Sequence, residues 1–166
     1  MKNIKKLTFL ALTISFALIL SYIESRIPPL AAIPGIKLGL ANIAVIFTLY
    51  RFGTKEAVAV SLLRVFLVSV LFGTPVSLIY SAFGAVLSLC SMILLKKLTP
   101  LKTVSVSVSG GIMHNIGQIA AASLMLSTNV VVYYLPFLLL SGILAGVAIG
   151  VVSAVLIKRV DPNKTK

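Results

Sequence analysis

Acids are scarce in this chain: Glu24, Glu56 and Asp161 are the only three among 166 residues. Three scattered acids exclude a DDxxD-type magnesium site. There is also no Gly-x-Ser-x-Gly and no GxxxxGK[ST], so neither a serine-hydrolase elbow nor an ATP-binding loop is present. His114 is the one histidine and Cys90 the one cysteine, which excludes a His/Cys metal cluster and an internal disulfide. Cys90 lies inside an apolar run and reads as a packing residue. Charged residues of either sign make up 11% and hydrophobic ones 59%, with a mean hydropathy of +1.13. Soluble domains carry about 25% charged residues. Too few polar groups exist to cover a water-facing surface, so the bilayer must be the solvent for most of it.

What is abundant is apolar sequence in runs, punctuated by cations. After a basic head with Lys2, Lys5 and Lys6, the spacing predicts an all-α integral membrane protein. Its helices fall at about 7–23, 37–52, 54–73, 76–95, 103–126 and 131–157, forming one six-helix transmembrane domain over residues 1–166. The first run is long for a signal peptide and no cleavage site follows directly, so it reads as a retained helix. The segment Glu24–Leu38 holds Pro28, Pro29, Pro34 and Gly35 and reads as a structured loop over a site. The second run is short against the roughly 20 residues of a full span. Thr54 suits an N-cap and Glu56 the positive end of the third helix. Gly142, Gly146 and Gly150 recur at four-residue spacing, as in close helix packing.

The net charge of +12 is not a nucleic-acid footprint, because the cations sit in short runs between apolar segments. With six spans, twelve of the fifteen fall on one face: the head, Arg51 with Lys55, Lys96 with Lys97 and Lys102, and the tail. The other face keeps Arg26 and Lys37. This asymmetry places both termini in the cytoplasm of a prokaryotic cell, with the chain in the plasma membrane.

The remaining cation, Arg64, falls near the middle of the third helix, about ten residues from each end. Snorkelling to the surface is difficult from there, so it anchors an anionic ligand group or bonds a neighbouring helix. No acid sits at the same depth in the sequence reading, which favours the ligand and argues against a proton relay. His114 and Gln118 share a helix face, with Asn115 beside them and Gly110 and Gly111 one turn before. They line a polar cavity or bond between helices. Lys37 and Asn42 flank the start of the second run and would shape the mouth of such a cavity. On the first helix, Ala11 with Ser15 and Thr13 with Ala17 repeat every four residues, a pattern for close packing within the chain or docking by another subunit.

The run Pro34–Ile43 (PGIKLGLANI) resembles the first-loop and second-helix region of substrate-binding S components of energy-coupling factor (ECF) vitamin transporters. Together with Ser61–Val65 (SLLRV), Gly110–Gln118 (GGIMHNIGQ) and Tyr133–Pro136 (YYLP), the chain is most similar to the Gx transporter family, also described as heptaprenyl diphosphate synthase component I. The resemblance implies six spans, cytoplasmic termini, no cofactor and no enzymatic activity of its own. It implies a small-molecule substrate, anionic and vitamin-like or a quinone or isoprenoid precursor, bound under the loop after the first helix. The partners it implies are an ECF transmembrane coupling subunit and two ATPase subunits, docked on small residues of the first helix. A different class of reading is a non-catalytic accessory subunit of a prenyl diphosphate synthase or a flavin-dependent redox system. A third is a small stand-alone transporter, for which coupling acids are lacking.

Overall fold

The structure, a computed structural model, describes residues 2–26, 39–128 and 130–160. Six α-helices form in chain order: α1 Lys2–Arg26, α2 Asn42–Arg51, α3 Thr54–Phe72, α4 Pro75–Leu98, α5 Thr103–Leu126 and α6 Leu135–Val160, with a 3₁₀ turn at Val130–Tyr134 leading into α6. No strand occurs among the described residues. Three segments, Ile4–Arg26, Pro75–Leu98 and Val130–Val160, are long and apolar enough to cross a membrane. Large apolar side chains such as Leu12, Phe16, Leu94, Phe137 and Leu144 point outward. In water such a surface would drive aggregation, and in lipid it is the ordinary exterior. The protein is therefore an all-helical membrane protein.

Contacts between helix ends fix the alternation of direction. Lys6 at the start of α1 pairs with Glu56 at the start of α3. The Lys96 ammonium, near the end of α4, donates to the Leu49 carbonyl in the last turn of α2 at 2.5 Å and lies 4.6 Å from the centre of the Tyr50 ring. Helices α5 and α6 run antiparallel, Gly142 lying against Gly111 and Gly150 against Val104. The starts of α1, α3 and α5 thus share one end of the bundle with the ends of α2, α4 and α6. Exposed Lys5, Lys55, Lys97, Lys102, Lys158 and Arg159 all lie there, and it is called the basic end below.

Local chemistry sets the helix boundaries. At the far end, Thr74 and Ser77 form a reciprocal capping box ahead of α4, with Pro75 at the first helical position. Between α2 and α3 the chain turns at Gly53, whose φ of 116° only glycine adopts readily. Gly53, not Thr54, therefore occupies the N-cap position of α3, and no side chain caps that helix. Helix α2 begins at Asn42 rather than near residue 37, because Gly39 takes a φ of 69° and stops helix propagation. The Asn42 and Ile43 amides bond back to the Gly39 and Leu40 carbonyls at 2.8 and 3.1 Å in a tight turn.

At ten residues α2 rises about 15 Å, roughly half of a hydrocarbon core. Six of its residues are buried, so it is a plug inside the bundle rather than a lipid-facing span. Ile43, Val45, Ile46 and Leu49 form its packing surface with Ala57, Leu89, Met92, Val106 and Ile149. The α5–α6 contact is close because of its glycines: a Cβ added at Gly146 would lie 2.7 Å from the Val108 Cα. This bears out the packing reading of the Gly142, Gly146 and Gly150 series. Cys90 departs from expectation. It is exposed on the lipid side of α4, because Ser88, Leu89 and Met92 set the buried phase of that helix.

Candidate functional site

Above the α2 plug the bundle holds a partly open cavity of about 360 Å³, a volume typical of small-molecule sites. Two stripes of small and polar residues line it. On α4 the stripe is Ser77, Ser81 and Ser88; on α5 it is Ser107, Gly111, His114 and Gln118. Offsets of four and eleven residues recur in both and keep side chains on one helix face. Apolar wall comes from Val65, Val68 and Phe72 of α3, and the floor from Ile46, Met92 and Ile149.

Five of the six candidate ligand residues meet here: Asn42, Arg64, His114, Asn115 and Gln118. Lys37 and the Pro-Gly loop lie outside the described residues. The Arg64 Nε is buried with no hydrogen-bond partner among the described residues. Gln118 is only 9% exposed, and its Oε1 likewise has no partner among the described residues. The buried Ser107 Oγ is in the same condition. The His114 ring packs on α4 where Gly84 leaves room for it: a Cβ at Gly84 would lie 2.9 Å from the imidazole.

Asn115 behaves differently. Its carboxamide donates to the Leu138 carbonyl of α6, and Gly142 packs against the same amide. Its main work is to tie α5 to α6, although one side of it borders the cavity. Asn42 is the first residue of α2, and its side chain sits against Gly39 at the cavity rim.

One expectation is corrected. The sequence placed no acid near Arg64, yet Glu24 lines the same cavity and attracts the guanidinium electrostatically, without a direct ion pair. Glu24 was read as a loop residue. Helix α1 continues to Arg26, so Glu24 belongs to its last turn and is carried over the bundle interior. One of its carboxylate oxygens accepts the Gly39 amide at 2.5 Å, tying the end of α1 to the approach to α2. Sequence reasoning also missed the serines. Their signal was present in the spacing of Ser77, Ser81 and Ser88, which repeats that of the α5 stripe.

The small residues of α1 divide into two groups. Thr13 and Ala17 are buried within the chain, Ala17 packing with Ala41 and Ala44 of the neighbouring segment. Ala11 and Ser15 are exposed among Leu12, Phe16 and Ile19. No group of three or more His, Cys, Asp or Glu side chains that could hold a metal occurs among the described residues.

Fold and cavity together define an all-helical membrane protein with a partly open chamber whose lining mixes polar and apolar side chains. Residues 13–156 match the family model described as heptaprenyl diphosphate synthase component I, and the chain belongs to that family. No curated protein and no solved structure matches the chain.

Proposed function

We propose that this protein is the substrate-binding membrane subunit, or S component, of an ECF-type ABC importer for a small molecule with an anionic group. The observation that carries this reading is the cavity itself. It is of ligand size, has a lining of mixed polar and apolar side chains, and is bordered by an arginine whose buried Nε has no hydrogen-bond partner among the described residues. A purely structural arginine would be expected to spend its donors on neighbouring carbonyls. The description of the family as a component implies partner subunits, and the motifs for ATP hydrolysis are absent from this chain. The partners proposed are a transmembrane coupling subunit and two ATPases. Of the small α1 residues, Ala11 and Ser15 are free to meet such a subunit, whereas Thr13 and Ala17 are already packed within the chain. Both termini and the basic end are assigned to the cytoplasm of a prokaryotic plasma membrane, so that the cavity lies toward the outside.

The family description favours a second reading, a non-catalytic accessory subunit of a prenyl diphosphate synthase. Co-purification from native membranes in mild detergent, with mass-spectrometric identification, separates the two. Recovery of a multi-span coupling protein with two ATPases is the expected result. Recovery of a prenyl synthase or a flavin-dependent redox enzyme, with no ATPase, overturns the importer reading.

A further inference from the structure

We infer that the cavity takes a small ampholyte, a molecule bearing both an anionic group and an N–H donor of opposite charge, and not a prenyl chain. This inference rests on the ligand-binding reading above and names the chemical class of that ligand. Arg64 and Glu24 face the same space with opposite charge. A ligand that is only an anion gains from Arg64 and loses to Glu24, at short range in a poorly screened interior. An ampholyte gains from both. The side chains of Ser77, Ser81 and Asn42 on the same lining can each donate and accept, so both halves of such a molecule find hydrogen-bond partners.

A prenyl chain fails on the same residues. Laid along the cavity it would cover the hydroxyls of Ser77 and Ser81 and offer neither Arg64 nor Glu24 a partner.

The test uses the purified full chain in detergent and its thermal unfolding midpoint. The probe is the small-molecule filtrate of a cell extract, divided by ion exchange. The expected result is that the stabilising material passes an anion exchanger at neutral pH and is held by a cation exchanger in acid, as amine-bearing ampholytes are. Stabilising material held by the anion exchanger at neutral pH, where net anions and prenyl diphosphates collect, overturns the inference and leaves ligand binding intact. No stabilisation by the undivided filtrate overturns the ligand-binding reading and the inference with it. Glu24→Gln supplies a second arm, because the amide oxygen still accepts the Gly39 N–H and preserves that tie. The half-maximal amount of the ampholyte fraction should rise at least tenfold for this variant. An unchanged amount overturns the role of Glu24.

Discussion

Arg64 and Asn115 both line the cavity, and their bonding separates their roles. The Arg64 Nε has no partner, whereas the Asn115 amide is committed to Leu138. Arg64→Ala should therefore fold, keep its helical circular dichroism, and weaken ligand-induced stabilisation on the order of 10- to 100-fold, the worth of a charge-assisted hydrogen bond. Arg64→Lys should recover only part of this, because a point charge does not replace a planar fork of donors. Asn115→Ala should show the opposite pattern. Its unfolding midpoint in detergent should fall, for a loss of about 0.6–1.7 kcal/mol typical of interhelical bonds in membranes, with affinity little changed. A large affinity loss in Asn115→Ala with an unchanged midpoint would move Asn115 into the ligand shell. Arg64 was legible in the sequence because a cation at mid-helix has few alternatives in a bilayer. Glu24 was not, because its role depends on how far α1 continues beyond its apolar run, and a run of hydrophobic residues does not mark where hydrogen bonding stops.

Helix α2 and the α5–α6 pair carry the element-scale logic. The buried half-length of α2 leaves space above it, and Gly39 sets where it starts. Five of the six helices were visible as periodic runs close to their observed bounds. The start of α2 was hidden because Ile36 and Leu38 flank the lone Lys37 just before Gly39, and the positive φ of Gly39 has no signature in the apolar pattern. The glycine series was legible because four-residue spacing marks one helix face whatever lies opposite. Gly146→Ala should lower the unfolding midpoint strongly, since the new methyl would meet the Val108 Cα at 2.7 Å and the backbones must separate. Overpacking of this kind costs typically about 1–3 kcal/mol. Ala148→Leu, on the exposed face of the same helix, should be nearly neutral by comparison. Cys90 gives a further check of helix phase: a spin label there should report contact with lipid-soluble oxygen rather than with a water-soluble relaxant.

At the scale of the whole molecule, charge sorts the two ends. Alternation of helix direction gathers the basic clusters at one end, as the positive-inside rule requires of a cytoplasmic face. Fusions at either terminus should thus give a fluorescent cytoplasmic reporter and an inactive periplasmic-type phosphatase. Activity of the phosphatase at one terminus alone would mean an odd number of crossings. The gathering of cations at one end was legible from counting them between runs, which does not depend on side-chain contact.

The opposite charges of Arg64 and Glu24 also make the chamber an electrical object. Its fixed charges cancel, so with an ampholyte inside, the loaded site carries no net charge. A unit charge moved through the membrane field costs or gains about 2.3 kcal/mol per 100 mV. Such a site would feel none of this. If the protein is the importer subunit proposed above, uptake into proteoliposomes with its ATPase partners should then proceed at the same rate whatever potassium diffusion potential is imposed.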